Sequence, residues 1–452
     1  MHDLLIRGGQ VVTPHGIQQL DVVISKGIIS ELVPPGTSLV AKEQVDVGGL
    51  YILPGLIDAH VHMREPGYLH KESMQTGTAA AACGGVTTVL DMPNTLPPVS
   101  GPGELAAKAA LISGRAHVDI GLYALLGSSD PATLQALAAA GAIGFKLFLG
   151  PTTGDLRAPE WGELLAIGPY LAELGLPVVV HAEDRSVIEY WQPRSQQAGN
   201  DYDQFMLSRP AFGELAATAQ VCLLAGLTGA HMHIAHVSLA GALDYIEQAK
   251  AHGWPISAEA CLPHLFLTNN DYPAIGNKMK VLPPVRTADD RAALWQGLHA
   301  GALDIVATDH APHTDADKAG SIWQSASGAP GVETLLPLML NAAANGRCTL
   351  GDIVRWCSYM PARLFALPGK GVIAPGYQAD MVFIDMQAEW QVQPEQLHNR
   401  SASTPFAGFR GKGRVVDVYL HGQLVARDGE LTGAIPSGRW LRPARQSYGE
   451  HI

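Results

Sequence analysis

Between residues 54 and 369 short apolar runs alternate with Ala- and Leu-rich stretches, and this alternation limits the fold more than any other feature. The runs are "GLIDAHVH", "VTTVLDM", "VDIGLYALL", "AIGFKLFLG", "PVVVHAE", "HMHIAHVS", "PISAEAC" and "LDIVATD". Stretches such as "DPATLQALAAAG" and "RPAFGELAATAQVCLLAGL" lie between them. A strand that is apolar throughout, not every second residue, is covered on both faces, as parallel strands between helices are. Eight such runs predict an α/β fold, a TIM (β/α)8 barrel, with a doubly wound open sheet as the second choice.

The ends of the chain read differently. "DLLIRGGQVV" and "LDVVISKGIISEL" near the start, and "RVVDVYLHGQLVARDGEL" near the end, are short β-like runs broken by Gly and Pro. Residues 1–53 plus 370–452 are therefore expected to form one small β-sandwich, and 54–369 the barrel. A hydrophobic content of 47% and a charged content of 16% suit a compact enzyme. The net charge of −12 argues against a nucleic-acid partner, which needs basic surface. No run of about 18 uncharged apolar residues predicts a membrane span, and the start lacks the apolar core of a signal peptide. Five scattered cysteines without a C-x-x-C pair fit reduced thiols, so a cytoplasmic protein is expected.

A TIM barrel gathers its chemistry at the C-terminal ends of its strands. Those ends carry His60, His62, Asn94, Lys146, His181, His236 and Asp309. Alternation along a strand puts His60 and His62 on one side, where they can bind one metal together. Imidazole and carboxylate ligands suit zinc first, with manganese, iron, cobalt or nickel as alternatives. A lone histidine is more often a hydrogen-bonded structural residue, and His117, His252, His299, His398 and His421 are read so. His231 and His233 compete with His236 in "HMHIAH"; His236 closes the run and is preferred. Lys146 sits inside "GAIGFKLFLG", although lysine is almost never buried without a partner. A buried, deprotonated lysine can add carbon dioxide and become a carbamate able to bridge two metals. The alternative is a salt bridge to a neighbouring carboxylate. Asp309 can hold a metal and act as general base towards an activated water; its alternative is a turn or cap acid.

"DAHVHMREPG", the "GFK" lysine, "VVVHAED", "HIAHVS" and "ATDHAPH" together resemble the amidohydrolase superfamily in its cyclic-amidase branch of dihydroorotases, hydantoinases and allantoinases. The resemblance spans nearly the whole chain and is closest to the dihydroorotases. It implies that His60, His62 and Asp309 hold one divalent metal, His181 and His236 a second, with carboxylated Lys146 bridging. It further implies that Arg64, Asn94 and His313 hold a substrate carboxylate, and that Thr152, in "KLFLGPTTGDLR", reaches the substrate from a loop. Two positions depart from the dihydroorotase pattern. Leu282 replaces a polar residue and is expected to meet substrate only through its backbone. Leu265 stands where many of them carry a second histidine.

The implied activity is interconversion of N-carbamoyl-L-aspartate and dihydroorotate in pyrimidine biosynthesis, with Asp309 shuttling the proton. The alternative is an allantoinase or hydantoinase acting on a ureide, and the third reading a non-catalytic homologue with a structural role. Relatives are commonly dimers or tetramers, so a homo-oligomer with a small-molecule substrate is expected.

Overall fold

The computed structural model describes residues 1–444 apart from 14–15, 153–155, 157 and 402. Each of the eight apolar runs contains a strand. In order these are Leu56–Val61, Val86–Asp91, Asp119–Leu122 (continued by Ala124–Leu125), Phe145–Phe148, Val178–His181, Met232–Ile234, Ile256–Cys261 and Ile305–Ala307. Neighbours pair in parallel and in sequence order. The third strand is broken at Tyr123. Its first half pairs with the second strand, its short second half with the fourth. The ring closes where Val61 bridges to His310 in parallel and Thr308 donates its backbone N–H to Asp58 Oδ1 at 3.1 Å.

The strands are buried residue by residue, because helices cover them outside and side chains fill the barrel inside. The helices start and stop on local signals. Asp130 caps Pro131–Ala140 by accepting from the N–H groups of Ala132 and Thr133, and Gly141 ends it at φ 107°. The apolar helical run Tyr202–Thr228 is broken at Arg209–Pro210, and its second part packs on the helices Trp161–Leu174 and Ala240–Ala251.

Both chain ends build the β unit. A seven-stranded sheet places Tyr51–Pro54 between Gln10–Thr13 and Met381–Gln391, so N- and C-terminal segments are hydrogen-bonded neighbours. A four-stranded sheet comes wholly from the first 46 residues. One apolar core joins the sheets: Leu4, Ile6, Val22 and Ile24 pack with Ile52, Met381, Phe383 and Tyr419. The chain then leaves this unit. Trp440–Leu441 runs parallel to Ile120–Gly121, on the barrel and on neither sandwich sheet. Gly438 makes that approach feasible, since a Cβ there would lie 2.0 Å from the Val118 carbonyl oxygen.

Candidate active site

A cleft of about 400 Å³ opens at the C-terminal ends of the barrel strands, and every metal-ligand and substrate candidate named above lines it except His313. The first strand delivers His60 near its end and His62 just past it. The fourth carries Lys146 at its second position, and the fifth ends on His181. His236 and Asp309 each lie two residues beyond a strand. Asp309 Oδ1 is 3.1 Å from His62 Nε2 and 3.4 Å from His60 Nε2. His181 Nδ1 is 3.1 Å from His236 Nε2. Two groups of ligand-type atoms thus face each other across one cavity, with Lys146 between the strands that carry them.

Three of these residues hold a backbone that side chains rarely adopt. Arg64 has φ 60°, His236 φ 38° and Asp309 φ 49°. Left-handed non-glycine residues cost about 1–3 kcal/mol each and cluster at functional sites. Here the turn at each strand end points the side chain back over the barrel mouth.

Burial sets the charge states. It pushes the Lys146 ammonium down to about 8, although Glu259 and Asp309 pull the other way. Burial lowers His62 to about 4 and His236 well below the ordinary imidazole range. Burial would raise the Asp309 carboxyl, but His60, His62 and His236 around it hold it well below the usual carboxylate range. At neutral pH the site therefore offers imidazole lone pairs, one carboxylate and a lysine with a neutral fraction. Among the described residues, Lys146 Nζ and His236 Nδ1 are buried without a hydrogen-bond partner. Such orphaned donors and lone pairs, beside three imidazoles and a carboxylate, fit the donor set of a divalent metal.

The residues tied to substrate fall into two groups. Asn94 lines the cleft, but its Oδ1 already accepts from His62 Nδ1 at 2.7 Å. It therefore fixes the His62 tautomer, leaving Nε2 free to face Asp309. Arg64 is 3% exposed and lines the cleft. Its Nε donates to the Pro312 carbonyl, an Nη lies 3.0 Å from His313 Nε2, and it bonds no carboxylate among the described residues. His313 stands behind Arg64, held also by Lys71 at Nδ1, and does not border the cavity. Leu282 and Thr152 border it; residues 153–155 and 157 of the Thr152 loop lie outside the described residues. Leu265 is fully buried in the core, away from the cavity lining.

Sequence reading missed the carboxylates behind the histidines. Glu259, inside "PISAEAC", receives hydrogen bonds from His60 Nδ1, from His233 Nε2 at 3.2 Å and from the His236 backbone N–H at 3.2 Å. Glu183, two residues after His181, accepts from its Nε2 at 2.8 Å and is held by Arg209. The signal for Glu259 was the one used for Lys146, a charge inside an apolar run. His231 and His233 turn to Ser257, 2.7 and 2.8 Å away, and not to the cavity. His252, His299, His398 and His421 have structural partners, and all five cysteines are buried and free.

Comparison with known proteins fits this picture. The profile of the amidohydrolase family matches residues 51–425. An allantoinase from Streptomyces avermitilis is 35% identical over 97% of this chain and 98% of its own. A dihydroorotase from Pediococcus pentosaceus is 32% identical over 93% of this chain and 98% of its own. The solved L-hydantoinase (dihydropyrimidinase) from Arthrobacter aurescens superposes with a TM-score of 0.95 at 30% identity, covering 98% of this chain and all of the other.

Proposed function

Since the chain belongs to the amidohydrolase family, whose profile spans 375 of its residues (51–425), we propose that it is a metal-dependent hydrolase of a cyclic ureide, of the allantoinase or hydantoinase type. Hydrolysis of a cyclic amide is the activity common to the relatives named above. The narrower choice rests on full-length likeness: two allantoinases at 35% identity and an L-hydantoinase of the same architecture. This shifts the weight from the dihydroorotase expected above to the ureide hydrolases.

His60, His62 and Asp309 would hold one divalent ion and His181 and His236 a second, zinc being the first candidate, with N6-carboxylated Lys146 between them. When bound, such ions polarise a ring carbonyl and make a water acidic enough to attack it near neutral pH. The lowered ammonium of Lys146 leaves part of the population neutral near pH 7, the form that adds carbon dioxide and releases a proton. Asp309, anionic at neutral pH, accepts the proton of the attacking water and passes it to the ring nitrogen as the C–N bond opens. Asn94 keeps His62 Nε2 turned to Asp309, so acceptor and ligand hold one geometry. Phe148 supplies an apolar wall beside Lys146.

A second reading, dihydroorotase, is favoured by one observation: Arg64 reaches the cavity without a carboxylate partner among the described residues, which suits a carboxylate on the substrate. Allantoin, a 5-substituted hydantoin and dihydroorotate assayed side by side on the metal-loaded protein separate the two. Turnover led by allantoin or the hydantoin is the expected result. Turnover led by dihydroorotate would replace the first reading by the second. No turnover of any of them, with less than one divalent ion per chain, would remove both.

A further inference from the structure

We propose that Glu259 is a positioning residue that orients the metal-binding histidines of two different strands at once. This rests on the reading of His60 and His236 as ligands. Glu259 stands on the seventh barrel strand, Ile256–Cys261, and is 1% exposed. Its Oε1 receives the His60 Nδ1 proton and also the backbone N–H of His236, 3.2 Å away. Its Oε2 is 3.2 Å from His233 Nε2.

Two consequences follow. With Nδ1–H donating to the carboxylate, His60 has its lone pair on Nε2, the nitrogen that faces Asp309. Substituting the acceptor by a group of similar shape frees that tautomer to exchange. Second, His236 has a left-handed backbone at φ 38°, and its N–H is anchored on Glu259. Anchoring this amide keeps the turn, and hence the ring, aimed at His181, 4.8 Å away between ring centres. The other two imidazoles have single orienters: His62 has Asn94, and His181 has Glu183. Glu259 differs in serving one histidine from each half of the site, His60 through its ring and His236 through its backbone N–H. His233 carries no comparable duty towards the cavity. Its Nδ1 lies 2.8 Å from Ser257 Oγ, and its Nε2 holds the carboxylate from behind.

Carboxylates that orient metal-bound imidazoles are worth about 10–100-fold in metal affinity. Glu259→Gln is therefore expected to weaken zinc and cobalt binding by about that factor in competition with a chelator. The visible spectrum of the cobalt-loaded variant should also differ from that of the parent, a change a purely structural role would not produce. Glu65→Gln serves as the control, since Glu65 is a buried carboxylate that bonds Arg115 and the Met74 N–H but no proposed metal ligand. The control should keep the parent affinity more closely than Glu259→Gln does. Equal affinity and an unchanged cobalt spectrum in folded Glu259→Gln would overturn the proposal, as would an equal loss in Glu65→Gln. If Glu259→Gln does not fold, proton NMR of the parent decides. A strongly deshielded imidazole N–H that moves on addition of zinc is expected, and its absence overturns the assignment. A parent that binds no divalent ion fails the functional reading instead, so the two failures are distinguishable.

Discussion

Two buried clusters in this molecule use the same residue types and do opposite things. Where the barrel meets the sandwich, Lys370 Nζ lies 2.7 Å from Asp119 Oδ2 and 2.6 Å from Asp380 Oδ2, and His421 Nε2 sits 2.8 Å from Asp119. At the barrel mouth Lys146 has no hydrogen-bond partner among the described residues, and the nearby carboxylates face histidines. Asp119, Asp380 and His421 lie as close together as His60, His62 and Asp309 do. The lysine is what separates the two. Lys370 neutralises its acids, and they raise its pKa against the effect of burial. Lys146 is lowered to about 8 by burial. One cluster joins two parts of the fold, and the other keeps its reactivity available.

Substitutions that split stability from activity sharpen this contrast. The largest effect is expected at Asp309→Asn. Removing the proton acceptor should lower kcat by about 10²–10⁴-fold with little change in Tm, checked by steady-state kinetics and calorimetry. Lys370→Met should do the reverse. Leaving Asp119 and Asp380 buried without their cation costs about 3–5 kcal/mol, read as a drop in denaturant midpoint. Lys146→Met, compared in metal-free protein, should cost nothing or stabilise, because it removes an unpaired buried amine. Equal destabilisation by the two methionines would break the contrast.

Arg64→Ala comes next. It should raise KM by about 10–100-fold for a ring bearing a carboxylate, the worth of a charged hydrogen bond, and far less for allantoin. The smallest effect concerns pH. Burial would raise Asp119, but Lys370 and His421 hold it below its ordinary 3.8. Its stabilisation is therefore complete above that value and is lost as pH falls through the lowered one. Lys370 is raised above its ordinary 10.5, so its contribution is complete below 10.5 and is lost as pH rises through the raised value. Midpoints of denaturation between these limits should be flat for this cluster, with acid and alkaline falls that shrink in Lys370→Met.

Much of the barrel was legible because a parallel strand covered on both faces must be apolar throughout. Lys146 was legible because a charge inside such a run needs a reason. Glu259 carries the same signal, but it stands within its strand and not at the end, where the chemistry of a barrel is expected. His313 and Asn94 were assigned to substrate through resemblance. The structure gives each a protein partner, Arg64 and His62, which no local pattern announces. The place of Trp440–Leu441 on the barrel was illegible as well. A two-residue strand has no periodicity, and its partner lies 320 residues earlier.

By itself the sequence determined the alternating architecture and the residue types at the barrel mouth. It did so through burial, a property each residue declares locally. Tertiary structure alone decided which nitrogen of each imidazole is free, which carboxylate is paired with a cation and which lysine, among the described residues, lacks a hydrogen-bond partner. Those states depend on atoms brought to within about 3 Å from distant parts of the chain, as Glu259 is to His60 across 199 positions. Hydrogen bonds and charges act over such distances and say nothing in one dimension.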